Sequence, residues 1–339
     1  MKTAQNDCTL LLLQRIIQEL DETELPRSIK DVLQKIKQEH QSTTVLKFIR
    51  LQINQLHSAK RWGTARNYEK TLKSFSGFLH DHDIPFELMT VSLINEYNAY
   101  LIQRNIVRNS ISFYMRNLRA IFNKAVRQQL IPFSNPFIEV YTGIDHTRKR
   151  SVDESVIQQL CHLDLSQNTP LALARDLFIF SYCTRGMAFV DIAHLKKSDI
   201  QNGMLYYTRH KTKQLLSVKI EPYTQSIINH YASPQREYLF PLISTDHPDK
   251  AYQQYIQALN TQNRLLKALS ALLPGHCHLT SYTPRHSWAT IARNHNISLS
   301  VISAGLGHTS EQTTQIYLNM LENAVIDKAN HELIYHLTR

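Results

Sequence analysis

The chain has 339 residues, with 38 Lys and Arg against 28 Asp and Glu, which gives a formal net charge of +10 at pH 7. This length suggests two domains that each bury a core, and the basic excess points first to a nucleic-acid partner. Four scattered cysteines without a CxxC pair argue against a disulfide framework, and the apolar run near the start is too short to span a bilayer. We therefore expect a cytoplasmic protein with no membrane role.

Residues 1–42 are predicted to form a helical extension whose role the sequence does not reveal. The segments LLLLQRIIQEL and SIKDVLQKIKQE both repeat apolar residues at helical spacing, and Pro26 separates them. The extension could bind DNA or another subunit, and both readings stay open.

Residues 43–140 are predicted to form a helical core DNA-binding domain. Thr64 is the expected N-cap of the helix in ARNYEKTLKSFSGFLH, and further helices are expected in LINEYNAYLIQR and NSISFYMRNLRAIFNKAVRQQL. No acidic residue occurs between Glu96 and Glu139. A solvated face is the commoner explanation of surface charge, but such faces usually alternate in sign. We therefore expect DNA phosphate contacts from Arg104, Arg108, Arg116, Arg119, Lys124 and Arg127.

A basic linker, residues 141–152, is expected to add DNA contacts from Arg148, Lys149 and Arg150. The pattern then becomes mixed through a predicted domain at 153–325. Asn202-Gly203 is a turn signal, and the alternating segments around it and after Gln214 predict a small antiparallel sheet among helices. The fold class predicted for the whole chain is mainly α with one small antiparallel β-sheet.

Four motifs in the second region could carry chemistry, although each alone has a structural explanation. Arg185 begins RGMAFVDIAHL, Lys211 lies in RHKTK, and Arg285 lies in SYTPRHSWAT. His308 follows Gly-Leu-Gly, and Tyr317 comes nine residues later. Taken singly, these side chains fit a salt bridge, a solvated turn, a helix cap, a core histidine and a core aromatic.

In this order the five residues resemble the catalytic domain of the tyrosine recombinases, the family of phage integrases, Xer-type resolvases and transposon integrases. The resemblance implies that Arg185, Lys211, Arg285, His308 and Tyr317 are catalytic, with Tyr317 the nucleophile. It covers most of the chain: it is specific from about 153 to 321, looser over 43–140, and does not place residues 1–42. It implies a helical SAM-like core-binding domain followed by a mixed α/β catalytic domain.

The chemistry of this set also stands on its own. Two arginines can each present a planar fork to a phosphate and neutralise the charge that builds in the transition state. A tyrosine hydroxyl, with a reference pKa of about 10, must lose its proton to attack, and nearby cations favour that loss. An ammonium can protonate the leaving 5′ oxygen. The covalent phosphotyrosine conserves the bond energy, so we expect no metal and no cofactor.

The sequence departs from the family pattern at the position three residues before Arg285. The family usually has histidine there, and this chain has Tyr282, which resembles a subgroup of mobile-element integrases. A tyrosine can hydrogen-bond a phosphate oxygen but cannot supply an imidazolium. We therefore expect Tyr282 to contact phosphate, while His286 is expected to be structural.

A second departure follows the first arginine. Many family members carry an acidic residue three positions after it, where this chain has Ala188, and Asp191 comes three positions later. Asp191 is expected to orient Arg185 or a neighbour. Lys211 is preferred over Lys213 as the catalytic lysine because RHKT matches the Arg-x-Lys-Thr pattern of the subgroup, and the choice between them stays open.

The tail, residues 326–339, carries an apolar stripe that fits docking into a neighbouring subunit as well as packing on its own chain. The resemblance implies double-stranded DNA as substrate, four protomers assembled on two sites, and accessory DNA-bending or excision factors as further partners. Two other functions stay open: a DNA-binding accessory protein that has lost catalysis, and a topoisomerase of type IB.

Overall fold

A computed structural model of the chain describes residues 44–145, 151–275 and 277–308. The chain divides into two compact units, with the boundary between residues 146 and 147. The predicted N-terminal extension, the tail, Arg148, Lys149, Arg150 and Tyr317 lie outside the described residues. Within the described part, no helix is long and apolar enough to cross a bilayer.

The first unit is a helical bundle whose helices meet through apolar faces. Tyr97 contacts Phe75 edge-on with ring centroids 5.0 Å apart, and Phe48 contacts Phe86 in the same manner at 5.5 Å. All four rings are at most 4% exposed, so they form the centre of this core. The helices are α1 (Val45–Ser58), α2 (Trp62–Phe78), α3 (Val91–Gln103) and α4 (Arg108–Arg127), with a short 3₁₀ turn at Phe86–Leu88.

Helix ends in this unit are held by side chains from loops. The Asp83 carboxylate accepts hydrogen bonds from the backbone N–H groups of Leu46 (2.7 Å) and Lys47 (3.0 Å), which ties the start of α1 to the α2–α3 loop. The prediction of Thr64 as an N-cap was wrong. The N–H of Thr64 already donates to the carbonyl of Arg61 at 3.0 Å, so α2 begins before Thr64, which lies inside its first turn.

The second unit packs around helix α6, in which Ala174 and the run from Asp176 to Ser181 are buried. The Asn168 side chain accepts a hydrogen bond from the Leu171 N–H and caps α6, and Pro170 lies in the first turn. The α-helices of the unit are α5 (Glu154–His162), α6 (Thr169–Cys183), α7 (Phe189–Ala193), α8 (Pro222–Tyr231), α9 (Pro248–Leu272), α10 (Thr283–Asn294) and α11 (Leu299–Leu306).

A small antiparallel sheet completes the unit, in the order β1 (Ile200–Gln201), β2 (Met204–Thr208), β3 (Leu215–Lys219). Leu205 pairs with Val218, and both side chains are buried against the core, whereas the alternate residues face outward. The turn between β2 and β3 therefore projects from a fixed base. The predicted fold class, mainly α with one small antiparallel sheet, is confirmed.

Candidate active site

The first arginine lies where α6 stops. The hydroxyl of Thr184 donates to the Phe180 carbonyl at 2.7 Å, and the Gly186 N–H donates to the Ser181 carbonyl at 2.8 Å. Arg185 and Gly186 both adopt the left-handed conformation, with φ of 60° and 70°. This turn directs the Arg185 side chain towards the sheet, where its guanidinium donates to the Ser217 carbonyl on β3 at 3.3 Å.

The second arginine, Arg285, lies in the first turn of α10 and is only 3% exposed. Its guanidinium donates to the Gly186 carbonyl at 2.9 Å, to the Leu306 carbonyl, and to Nε2 of His308 at 3.1 Å. A guanidinium can only donate, so Nε2 of His308 is the acceptor and the imidazole proton lies on Nδ1. Arg285 therefore joins the end of α6, the end of α11 and His308.

Gly186 allows the two arginines to approach each other. A Cβ added at Gly186 would lie 2.6 Å from Cα of Arg285 and 2.9 Å from its Cβ. Real Cβ atoms do not approach backbone this closely, so only glycine fits between α6 and α10 here.

Gly186→Ala is expected to destabilise the protein by about 1–3 kcal/mol more than Gly203→Ala does. Gly203 is the matched control because it has nearly the same φ, 72°, but nothing within 4 Å of its added Cβ. Both variants incur left-handed strain of about 1–2 kcal/mol, and only Gly186→Ala adds the collision with Arg285. Thermal and urea unfolding of the two variants measure the difference, and equal destabilisation would show that the close approach does not matter.

His308 follows the left-handed cap of α11. Gly307 has φ of 61°, and a Cβ there would lie 2.7 Å from the Leu216 side chain on β3. Arg209, at the end of β2 and 7% exposed, donates to the Gly307 carbonyl. The Arg209 contact links the hairpin to His308, although sequence reasoning gave Arg209 no role.

The pKa of His308 is lowered to about 4, first by burial and then by the charges of Arg285, Arg209 and Lys211. His308 is therefore a neutral imidazole at physiological pH. The Lys211 charge is thus one of the cations that lower the pKa of His308. Lys213 sits two residues further round the turn, with its backbone at φ of 59°.

The lowered pKa of His308 predicts how the site responds to acid. An unfolded histidine takes up its proton near pH 6.5, whereas His308 in the folded chain does so only near pH 4. Its contribution to stability is thus complete above pH 6.5 and is lost as the pH falls towards 4. In thermal unfolding, His308→Asn should lose less stability than the wild type across this window. Parallel losses in the two proteins would contradict the neutral imidazole.

The charges of four side chains, Asp191 and three arginines, act on buried Tyr207. The Tyr207 hydroxyl on β2 has its pKa raised to about 12, first by burial and then by the Asp191 carboxylate, while the charges of Arg285, Arg209 and Arg185 oppose the rise. Asp191 and the three arginines therefore act on one buried point, and Tyr207 stays protonated.

Asp191, in α7, is 4% exposed and contacts the residue next to Lys211. Its Oδ1 accepts hydrogen bonds from the backbone N–H of His210 at 2.8 Å and from Nδ1 of His210 at 3.1 Å. Asp191 was expected to orient Arg185 or a neighbour. Its hydrogen bonds within the described residues go to His210, which precedes Lys211 in the turn. His210 was not singled out from the sequence, and its place within RHKTK was the available signal.

Tyr282 lies at the N-cap of α10 and is 42% exposed. Its ring stands edge-on to that of His286, with centroids 4.9 Å apart. The tyrosine is thus on the surface, three residues before Arg285. Among the described residues, no group of three or more His, Cys, Asp and Glu side chains could hold a metal ion.

The basic residues predicted for the first unit lie on α4, apart from Arg104, and form two groups. Arg108 stacks on the Tyr141 ring at 3.9 Å and pairs with Asp145 at 3.4 Å, while Arg119 donates to the Thr142 hydroxyl at 3.0 Å. Arg116 donates to the Ser112 carbonyl, and Arg104, at the end of α3, stacks on Tyr100.

The second group is a cationic cluster of Arg61, Lys124 and Arg127. The pKa of Lys124 is lowered by burial and then by the charges of Arg61 and Arg127. The Lys124 ammonium donates to Oε1 of Gln52 at 3.1 Å and lies 5.1 Å from the Tyr68 ring centroid. Three like charges that repel one another favour an anionic ligand. Sequence reasoning missed Arg61, which lies outside α4 and was visible only as a lone basic residue.

The family follows from the match of two family models to the two units. The model of the phage integrase SAM-like domain matches residues 44–140, and the model of the phage integrase family matches residues 150–323. The chain belongs to the phage integrase family, the tyrosine recombinases.

Known relatives agree with this assignment. The chain is 25% identical over 272 residues to the tyrosine recombinase XerC of Halalkalibacterium halodurans, with 78% of this chain and 89% of the relative covered. It is 20% identical to the tyrosine recombinase XerD of Shewanella oneidensis, covering 76% and 86%. A lambda integrase dimer bound to a COC′ core site has a similar fold, with a TM-score of 0.58 at 18% identity, covering 81% of this chain and 95% of that one.

Proposed function

We propose that this chain is a site-specific DNA recombinase that cuts and rejoins DNA through a 3′-phosphotyrosine formed on Tyr317. The observation that carries the proposal is the buried guanidinium of Arg285, fixed by two carbonyls and by the neutral His308. Arg185 directly precedes Gly186, which packs against Arg285, and the Lys211 charge acts on the same histidine. Such a fixed cationic pocket suits a phosphodiester whose charge increases in the transition state.

The first chemical step uses groups of this chain alone. The Tyr317 hydroxyl releases its proton to solvent, and its oxygen forms a bond to the phosphorus as the bond from phosphorus to the 5′ oxygen breaks. Lys211 gives its proton to that 5′ oxygen, so the products are a phosphotyrosine, a free 5′ hydroxyl and a neutral amine. Arg185 and Arg285 bind the non-bridging oxygens, and Tyr282 donates a hydrogen bond to the phosphate. Rejoining is the reverse, so it consumes no ATP and needs no metal.

The DNA partner and the assembly follow from the same proposal. The Arg61, Lys124 and Arg127 cluster supplies phosphate contacts from the first unit, together with the arginines of α4. A lambda integrase tetramer bound to a Holliday junction has a similar fold, with a TM-score of 0.57. We extend that assembly to this chain: four protomers exchange strands pairwise between two sites.

Arg61→Ala and Lys124→Ala are each expected to reduce the slope of log affinity against log salt concentration by about 1, with similar weakening on all DNA sequences. The reason is that each variant loses one phosphate contact. The slope is measured by fluorescence anisotropy of labelled duplexes at salt concentrations from about 50 to about 300 mM. Lys196→Gln is the control, because Lys196 pairs with Glu237 and Asp246. An unchanged slope in both cluster variants would contradict phosphate binding there.

Capture of covalent adducts tests the proposed function. The protein is incubated with fragments of its host genome, the reaction is stopped in detergent, and DNA that stays attached is sequenced. Adducts that map to a few loci and vanish in Tyr317→Phe support the recombinase. Salt-sensitive binding without adducts would support an inactive accessory protein and would point to Tyr282, in place of the usual histidine, as the cause of the lost activity. Adducts and DNA relaxation without site preference would support a topoisomerase of type IB.

A further inference from the structure

The turn that carries Lys211 is hydrogen-bonded to the buried carboxylate of Asp191. Both hydrogen bonds of Asp191 Oδ1 go to His210, one to its backbone N–H and one to its ring. The His210 ring also faces the ring of His194, with centroids 4.4 Å apart. His194 immediately follows α7, and its Nδ1 bonds to the Val190 carbonyl at 2.8 Å. Asp191 in the middle of α7 and His194 just after its end thus both contact the His210 imidazole.

The other side of the turn is fixed as well. The backbone N–H of Arg209 donates to the Gln214 carbonyl at 2.8 Å, and the Lys213 N–H donates to the Arg209 carbonyl at 2.8 Å. The Arg209 side chain is bound to the Gly307 carbonyl. Residues 209 and 210 are therefore both held by hydrogen bonds, although the His210 side chain is 40% exposed, and the exposed Lys211 follows directly.

Burial of the Asp191 carboxylate needs a compensating partner. A carboxylate that is 4% exposed costs free energy unless hydrogen bonds or charges compensate it. Within the described residues, the hydrogen bonds of Asp191 are to His210, even though the charges of Arg185, Arg209 and Arg285 act on the same part of the site. The buried Asp191 carboxylate therefore fixes the position of the turn that carries Lys211.

We propose that His210, held by Asp191, is a positioning residue that sets where the Lys211 ammonium meets the leaving 5′ oxygen. The inference rests on the proposed function, in which Lys211 protonates that oxygen. In the proposed reaction, His210 touches neither the DNA nor the reacting atoms. Its ring bond to Asp191 fixes the direction in which the next residue leaves the strand, and a misplacement of about 1 Å can slow a reaction about 100-fold.

The test separates proton donation from general disorder of the site. One duplex carries the ordinary phosphodiester at the cleavage locus found by adduct capture, and the other carries sulfur in place of the bridging 5′ oxygen. A thiol has a pKa of about 8.5, so the thiolate leaves without a proton. Single-turnover cleavage of both duplexes is measured for the wild type, His210→Ala, His210→Asn and Lys211→Ala.

His210→Ala is expected to slow cleavage of the oxygen duplex by about 10- to 100-fold and that of the sulfur duplex by less than about threefold. His210→Asn should cleave the oxygen duplex nearly as fast as the wild type, because its amide nitrogen can donate to Asp191 from about where Nδ1 does. The backbone N–H bond to Asp191 is present in every variant, so the fold is retained.

Two results would overturn the inference. If His210→Ala slows cleavage of both duplexes equally, His210 has only a general structural role. If it slows cleavage of neither duplex, His210 has no role in the reaction. Failure of the proposed function looks different, because the wild type would then form no adduct on either duplex. Lys211→Ala is the reference variant, because it removes the proton donor itself. His210→Ala must likewise cleave the sulfur duplex faster than the oxygen duplex, by a smaller ratio than Lys211→Ala.

Discussion

Arg285→Lys is expected to lower the single-turnover rate of adduct formation by about 10²- to 10³-fold at saturating protein. A lysine ammonium cannot keep the three directed hydrogen bonds to Gly186, Leu306 and His308 while it binds phosphate. The variant leaves buried carbonyls without a donor, so we also expect a loss of about 1–3 kcal/mol in the free energy of unfolding.

The control for this variant lies on the same helix. Arg293→Lys, in the last turn of α10, makes the same chemical change eight residues further on. It should leave both rate and stability nearly unchanged. Circular dichroism and duplex binding confirm that Arg285→Lys is folded before rates are compared. A folded Arg285→Lys protein that forms adducts at the wild-type rate would contradict the role of Arg285 in binding the phosphate.

Lys211→Ala is expected to slow cleavage of ordinary DNA by about 10²- to 10⁴-fold, whereas Lys213→Ala should slow it by less than about threefold. Both side chains are exposed on the same turn, so the two variants are matched in environment and in lost charge. The difference follows from position, because the Lys211 charge lowers the pKa of His308 inside the site. Single-turnover cleavage of a duplex with sulfur at the 5′ bridging position should recover in Lys211→Ala.

The comparison of the two lysine variants could instead identify Lys213 as the proton donor. A larger loss in Lys213→Ala, recovered by sulfur, would move the proton donor two residues along the turn. The link between His210 and the donor would then fail as well, while the nucleophile and the arginines would be unaffected.

Helical periodicity was enough to predict most of the fold, because it depends on residues close in sequence. The apolar stripe of α4 contains Ile111, Met115 and Leu118, and all three are buried. Helix α1 was not singled out, although Phe48, Ile49 and Ile53 repeat at helical spacing and form part of the same core. The N-cap at Thr64 was wrong since the start of α2 is fixed by the backbone of Arg61, which has no capping side chain.

Contacts across long sequence separations could not be predicted in this way. Arg285 meets Gly186 across 99 residues, and Arg209 meets Gly307 across 98. Motif order placed the arginines and His308 in one site, but it did not reveal which carbonyls fix the guanidiniums. It also left the partner of Asp191 open, because that choice depends on how α7 packs beside the hairpin.

Mass spectrometry of the DNA adduct tests the identity of the nucleophile most directly. Trypsin cleaves after Arg293 and Lys328, and the peptide 294–328 contains a single tyrosine, Tyr317. Exposed Tyr282 falls in a different peptide, 268–285. After nuclease digestion, a nucleotide 3′-phosphate is expected on Tyr317 within peptide 294–328, with a free 5′ hydroxyl on the released strand. A nucleotide on peptide 268–285, or a 5′-phosphate linkage, would contradict this assignment.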